Sequence, residues 1–137
     1  MTIHFATHFN SGYVFQGLAL YFSINRNVKN FTLWIICLDE EVYQILESVN
    51  LPNIKLVKKN QWENKELKKV KKTRSLREYF WTITPSVSNI VFDFDSSINQ
   101  VTYIDADMWI RKNPEPIFKE LQEANKHVLI TEHHYAP

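Results

Sequence analysis

The sequence predicts one α/β domain, a three-layer α/β/α arrangement around an open and mainly parallel sheet. The first observation is that strand-like and helix-like segments alternate along the chain in the order β-α-β-α-β. The second is the apolar run FTLWIICL at 31–38, which is typical of a strand buried on both faces. The third is DEEVYQILESVN at 39–50, where apolar residues recur at helical spacing.

The first half of the chain supplies three strands and two helices. TIHFATHF at 2–9 is the first predicted strand, and apolar residues at helical spacing over 12–27 predict the first helix. FTLWIICL is the second strand. The helix after it has Asp39 as its predicted cap and is expected to stop at Asn50 and Pro52. IKLV at 54–57 is the third strand.

A basic stretch follows, in which 55–77 holds ten of the sixteen Lys and Arg residues but only two acidic residues, Glu63 and Glu66. For most of these lysines we favour a solvated helix face, because Leu67 and Val70 give the segment little to bury. Lys72 and Arg77 are better candidates for contact with phosphate, because they approach the apolar segment that comes next.

The last third of the chain is predicted to hold two helical pieces, a strand, a helix and a strand. LREYFWTITPSVSNIVFDF at 76–94 is helical in two parts, with Thr84 as the expected cap of the second part. VTYI at 101–104 is a strand that ends at Asp105, and PEPIFKELQEAN at 114–125 is a helix. HVLIT at 127–131 is the last predicted strand.

Composition excludes several classes of function. The chain has 137 residues, 45% of them apolar, and a formal net charge of +1, so no overall field indicates nucleic acid or a membrane as partner. Its two glycines, Gly12 and Gly17, allow neither a dinucleotide-binding G-x-G-x-x-G nor a Walker loop. A bound nucleotide would have to be held by side chains, helix ends or a metal.

The sequence also predicts a cytoplasmic protein without a transmembrane segment. Cys37 is the only cysteine and lies in an apolar run, so no internal disulfide can form. That run is the longest apolar stretch and is too short to span a bilayer. The start of the chain, MTIHFATHF, lacks the basic and apolar blocks of a signal peptide.

Two D-x-D pairs are candidates for chemistry. Asp93 and Asp95 lie in IVFDFDSS, which resembles the first motif of haloacid dehalogenase phosphatases, where the first Asp is a nucleophile and the second a general acid/base. The Gly-Thr of that motif is Ser96-Ser97 here, and the helical spacing before it favours a helix end. A phosphohydrolase that uses this pair therefore remains an alternative to the second pair.

Asp105 and Asp107 are better placed, because they follow a predicted strand of a parallel sheet, where ligands bind. Two carboxylates suit Mg²⁺ or Mn²⁺, which keep coordination positions open for substrate phosphates. A capping pair at a turn is the other interpretation of these residues. With no glycine loop in the chain, a metal that bridges a diphosphate explains how a nucleotide could be held.

The surrounding residues, VTYIDADMWIRKNPEPIF, resemble the donor-site motif of A-type-fold, family 8-like bacterial glycosyltransferases. FATHFNSGYVFQGLALYFSI resembles the first strand, loop and helix of that family, and SLREYFWTITPS and ITEHHYAP resemble stretches of related proteins. The resemblance covers nearly all of the chain. It implies a nucleotide-diphospho-sugar transferase-like fold.

The resemblance also implies roles for individual residues. Asp105 and Asp107 would bind Mn²⁺ or Mg²⁺ and, through it, the donor diphosphate. The other residues implied at the nucleotide and donor sugar are Thr7, Asn10, Tyr13, Lys72, Arg77, Glu132 and His133. Tyr13 would stack on the base. The family usually has an acidic residue in the first loop, where this chain has His8 and Asn10, so the base is left open with UDP-sugar favoured.

The implied reaction is transfer of a sugar from a nucleoside diphosphate to a glycan, lipid or protein acceptor. Such enzymes are longer than this chain, and their second half supplies the acceptor site. We therefore expect 1–137 to be a donor-binding domain that lacks the acceptor half, that can self-associate through its exposed edge and that need not be active alone. A non-catalytic nucleotide-binding or scaffold module with the same fold is the other possibility.

Overall fold

A computed structural model describes residues 2–126, 128 and 130. Four parallel strands form one sheet in the order β3-β2-β1-β4. They are β1 (Ile3–Phe9), β2 (Phe31–Cys37), β3 (Ile54–Val57) and β4 (Thr102–Tyr103). The predicted α/β class with a parallel sheet is confirmed. From β1 the chain adds β2 and then β3 on one side of β1, whereas β4 pairs with the other side of β1. The direction in which strands are added therefore reverses between β1 and β4.

Seven α-helices connect or flank these strands in the described part of the chain, with short 3₁₀ turns at Ser11–Tyr13 and Thr84–Ser86. The helices are α1 (Val14–Asn27), α2 (Glu40–Val49), α3 (Lys59–Trp62), α4 (Lys65–Lys71), α5 (Leu76–Ile83), α6 (Val87–Phe94) and α7 (Glu115–Glu123). The predicted strand at 127–131 falls largely outside the described residues.

Helices cover both faces of the sheet because β2 is apolar on both. Leu33 and Ile35 pack on one face with Leu20 of α1 and Val42 of α2. On the other face, β2 contributes Trp34 and Ile36 to a second cluster, which α3, α5 and α6 complete with Trp62, Tyr79, Ile83, Val87 and Val91. The continuous apolar run at 31–38 therefore reflects a strand with no solvent-facing side.

The second helical piece in 76–94 begins differently from the prediction. Thr84 does not cap it: its backbone is helical, with φ −46° and ψ −49°, and it continues from α5 into the 3₁₀ turn. Pro85 is tolerated because it lies in the first turn of the 3₁₀ helix, where a backbone N–H would have no acceptor within the helix. The Thr84 hydroxyl is therefore free to reach β1, where it meets His8.

Among the described residues, no helix combines the length and apolarity needed to cross a bilayer.

Candidate functional site

A cleft of about 660 Å³ lies at the carboxyl edge of the sheet, beside the reversal between β1 and β4. Open α/β sheets bind ligands at this position. Five predicted site residues line the cleft together: Asn10, Tyr13, Arg77, Asp105 and Asp107. They come from the loop after β1, from α5 and from the turn after β4, so the cleft gathers residues far apart in sequence.

The two aspartates flank a tight turn that directly follows β4. The Ile104 amide donates to the Ala6 carbonyl at 2.9 Å, which extends the pairing with β1 by one residue. The Met108 amide then donates to the Asp105 carbonyl at 3.1 Å and closes the turn. Ala106 is buried, whereas Asp105 and Asp107 on either side of it are exposed. The small residue between them thus anchors the turn and leaves both carboxylates at the cleft.

A chain of polar side chains forms the floor of the cleft. The Tyr103 hydroxyl donates to Asp105 Oδ1 at 2.7 Å and lies 3.4 Å from His8 Nε2. His8 Nε2 is also 2.8 Å from the Thr84 hydroxyl. Burial lowers the pKa of His8, and the nearby Asp105 charge offsets this only in part. Burial and the Asp105 hydrogen bond both raise the pKa of Tyr103, so its hydroxyl stays protonated and donates at neutral pH.

The loop after β1 is fixed to the start of α2 by one carboxylate. Asp39 Oδ1 accepts from the Val42 amide at 2.8 Å, as the predicted cap should. Its Oδ2 accepts from the Ser11 amide at 2.9 Å and the Ser11 hydroxyl at 3.0 Å. Burial opposes ionisation of Asp39, but these hydrogen bonds outweigh it and hold its pKa below the ordinary value. Asp39 therefore caps α2 and also positions the loop that carries Asn10 and Tyr13.

Replacing Asp39 with alanine is expected to lower the free energy of unfolding by about 1 kcal/mol at neutral pH, the usual effect of losing a helix cap. Because the folded-state pKa of Asp39 is depressed, its stabilisation is present above the unfolded value of about 3.9 and is lost as pH falls through the folded pKa. The difference from the parent chain should therefore shrink in acid, which urea unfolding across pH would measure.

Asn64→Ala is the matched control for Asp39→Ala. Asn64 caps α4 by accepting from the Leu67 amide at 2.9 Å, but its amide side chain does not titrate. The decrease in the free energy of unfolding caused by Asn64→Ala should therefore stay constant with pH. An Asp39→Ala penalty that is equally constant would show that the charge of Asp39 adds nothing to the cap.

α5 and the 3₁₀ turn that follows it form one wall of the cleft, to which α5 contributes Leu76, Arg77, Phe80 and Trp81 and the turn contributes Thr84. The helix begins at Leu76 because Ser75 and Glu78 form a capping box: the Ser75 amide donates to Glu78 Oε2 at 2.8 Å. Arg77 and Trp81 are four residues apart and therefore share a face of the helix. Trp81 is 65% exposed, which is unusual for an indole that does not meet a ligand or partner.

Two further predicted site residues, Thr7 and Lys72, do not line the cleft. Thr7 is buried on the α1 side of β1, because alternate residues of a strand face opposite sides and its neighbour His8 takes the cleft side. In the described part of the chain its hydroxyl has no hydrogen-bond partner. Lys72 is exposed just after α4 and does not line the cleft. Glu132 and His133 lie outside the described residues.

The two residues of the other acidic pair both lie away from the cleft, and Asp93 lines a separate surface hollow beside α3 and α4. Asp95 ends α6, and Asp95 Oδ1 accepts from the Ser97 hydroxyl at 2.5 Å. Ser97 in turn lines a hollow with Ile3 and His4 at the amino end of β1. The expected helix end is thus confirmed, and neither Asp93 nor Asp95 lines the cleft at the carboxyl edge, where parallel sheets bind ligands.

Sequence comparison relates the chain to proteins of undescribed function. No known protein-family profile matches it. The uncharacterized protein YfnF of Bacillus subtilis is 32% identical over 119 residues, which are 87% of this chain and 39% of that relative. YfnD of the same organism, also uncharacterized, is 26% identical over 136 residues, or 99% of this chain and 43% of YfnD. The chain spans about two fifths of the length of these curated relatives.

Proposed function

We propose that this chain is the donor-binding part of a metal-dependent glycosyltransferase with a nucleotide-diphospho-sugar transferase-like fold, and that its donor is a UDP-sugar. The observation that carries the proposal is the convergence of Tyr13, Arg77, Asp105 and Asp107 on one cleft at the point where the sheet reverses. This cleft combines an aromatic ring, a cation and two carboxylates, which are the groups that a base, a phosphate and a phosphate-bridging metal require.

The acidic turn fits a divalent cation that is shared with a diphosphate. Mg²⁺ and similar ions bind proteins through one or two carboxylates and take substrate phosphates and water as their other ligands. Asp105 and Asp107 are both exposed at the cleft, and Tyr103 occupies only Oδ1 of Asp105. In the described part of the chain no third His, Cys, Asp or Glu joins them, so a cation held there would keep positions for substrate oxygens and water.

Side chains of the two walls hold the rest of the donor. Neither glycine has a positive φ, so no glycine loop cradles phosphate in this cleft. Arg77 instead offers a planar fork of N–H donors that matches phosphate oxygens. Tyr13 is 50% exposed, and its ring is available to stack on the base, an interaction that contributes about 1–3 kcal/mol in single-strand binders.

The reaction breaks the bond between the anomeric carbon of the sugar and the diphosphate and forms a bond from that carbon to a nucleophilic atom of the acceptor, whose proton passes to water. Negative charge grows on the diphosphate while the sugar becomes oxocarbenium-like, so groups aimed at the leaving oxygens lower the barrier. A divalent cation held by Asp105 and Asp107 would supply Lewis-acid stabilisation of that leaving group. Arg77 adds a permanent positive charge in the same cleft.

Titration calorimetry with UDP tests this proposal. We expect clear binding with Mn²⁺ and only weak binding in chelator, because the cleft has no glycine loop to hold phosphate by itself. UDP-glucose and UDP-galactose should bind under the same conditions, and ADP should bind less tightly if Tyr13 and Asn10 contact the base. Equal binding of UDP with and without metal would remove the metal from the proposed site, and no binding in either condition would refute the donor site itself.

A further inference from the structure

The outer side of α4 is a strongly basic surface. Lys65, Lys68, Lys69 and Lys72 are all exposed, and their spacing of three, one and three residues places them on one helical face. Leu67 and Val70 lie on the other face and are partly buried. Arg74, also exposed, comes two residues after Lys72. We call these five cations the basic face.

Little acidic charge balances the basic face. Glu63 is turned inward, where it accepts from the Tyr79 hydroxyl at 2.6 Å and pairs with Lys71 at 3.5 Å. Glu66 pairs with Lys69 at 3.2 Å, but both side chains are more than 70% exposed, so the pair contributes little. The segment 55–77 holds ten of sixteen cationic residues and two of fifteen acidic ones, so the rest of the chain is net acidic. Glu78 lines the same hollow as Arg74, but its carboxylate accepts from the Ser75 amide at 2.8 Å and the Ser75 hydroxyl at 2.7 Å. The lysines of the basic face therefore keep an excess of positive charge.

Exposed apolar side chains adjoin the basic face. Leu76 is 58% exposed and Trp81 is 65% exposed. Arg74 and Trp81 line the same shallow hollow on the surface, and Arg77 shares the cleft with Leu76 and Trp81. Cations on the same surface as an exposed indole and a leucine are a combination that binds an anionic bilayer, because the cations meet the headgroups and the apolar groups enter the interface.

We propose that the basic face docks this chain on an anionic lipid bilayer, with Leu76 and Trp81 in the headgroup region. A soluble polyanion would satisfy the lysines but would leave the leucine and the indole in water, so the bilayer accounts for more of the surface. Leu76 and Trp81 also line the cleft, so docking brings the cleft mouth to the membrane surface. The proposal requires neither nucleotide nor metal and is independent of the proposed function.

Vesicle co-sedimentation tests the proposal on the 137-residue chain. Vesicles of phosphatidylcholine alone are compared with vesicles in which a third of the lipid is phosphatidylglycerol. We expect binding to the anionic vesicles only, with affinity falling as salt is raised because surface charges are screened. Trp81 should also show a blue shift in fluorescence on binding, obtained as the difference between the parent chain and Trp81→Phe.

Two triple variants distinguish binding through the basic face from an effect of the net charge of the chain. The triple substitution Lys65→Gln, Lys68→Gln and Lys72→Gln should lower affinity for anionic vesicles at least about tenfold, since each basic residue near such a surface contributes roughly fivefold. A control triple at other exposed cations, Arg26→Gln, Lys29→Gln and Lys112→Gln, removes the same charge and should change affinity by no more than about twofold. Circular dichroism confirms that both triples are folded.

A third variant distinguishes lipid from a soluble polyanion. Leu76→Gln with Trp81→Gln keeps every cation and should still weaken vesicle binding severalfold. The proposal is overturned if both vesicle types bind equally or not at all, or if the control triple loses as much affinity as the first. It is also overturned if the Leu76 and Trp81 variant binds vesicles like the parent while inorganic polyphosphate competes fully, which would identify a general polyanion surface.

Discussion

Replacing Asp105 and Asp107 together with asparagine is expected to lower the Mn²⁺-dependent affinity for UDP by about a hundredfold or more. Even outer-shell partners of a metal ligand change affinity 10–100-fold, and these substitutions act on the proposed ligands themselves. Asparagine keeps the size of each side chain and removes its charge, so the turn after β4 should persist. Calorimetry of the variant with UDP in Mn²⁺ and in chelator measures the effect.

The chain contains its own control for this experiment. Asp93→Asn with Asp95→Asn makes the same chemical change in the other acidic pair, which does not line the cleft. We expect that variant to bind UDP and Mn²⁺ like the parent chain. Loss of binding in the control, with retention in the Asp105 and Asp107 variant, would transfer the site to Asp93 and Asp95 and revive a phosphohydrolase as the better interpretation.

Much of the fold was predictable because the signals are local. β2 is recognisable from a continuous apolar run, and α2 from its cap and apolar stripe. Once strands and helices alternate, a parallel sheet follows, and the carboxyl ends of its strands become the place to look for a site. The position of Asp105 and Asp107 at that edge follows from this reasoning alone.

The site residues that were not predicted from the sequence are ones whose role depends on the direction in which the side chain faces. His8 lines the cleft and Thr7 does not, and the signal was present in the alternation of Ile3, Phe5 and Phe9 with His4 and Ala6. Trp81 could have been predicted from helical spacing, because it lies one turn beyond Arg77 on the same face of the helix. The hydrogen bond between His8 and Thr84 could not have been predicted from the sequence, because the two residues are 76 positions apart.

Tyr103 is the missed residue with the largest expected effect on the proposed site. It is a positioning residue: its hydroxyl donates to Asp105 Oδ1 at 2.7 Å and so fixes the orientation of that carboxylate toward the cleft. The hydroxyl stays protonated at neutral pH because burial and Asp105 both raise its pKa. A hydrogen-bonding partner of this kind typically contributes 10–100-fold to metal affinity.

We therefore expect Tyr103→Phe to weaken Mn²⁺ binding by about 10–100-fold, measured by calorimetry with the metal alone and in the presence of UDP. The ring remains to pack against the sheet, so the free energy of unfolding should fall by only about 0.5–1.5 kcal/mol for the lost hydrogen bond. Thermal unfolding without metal measures that second quantity separately. Affinity for UDP in chelator should be unchanged, since the hydroxyl acts through Asp105.

Tyr43→Phe is the matched control, because it removes the same kind of hydrogen bond elsewhere. The Tyr43 hydroxyl donates to Glu47 Oε1 at 2.5 Å on the surface of α2, remote from the acidic turn. That variant should bind Mn²⁺ like the parent chain. If Tyr103→Phe also bound Mn²⁺ like the parent while unfolding at a lower temperature, the hydroxyl of Tyr103 would serve only the stability of the fold. If both variants lost affinity equally, the effect would not come from the orientation of Asp105.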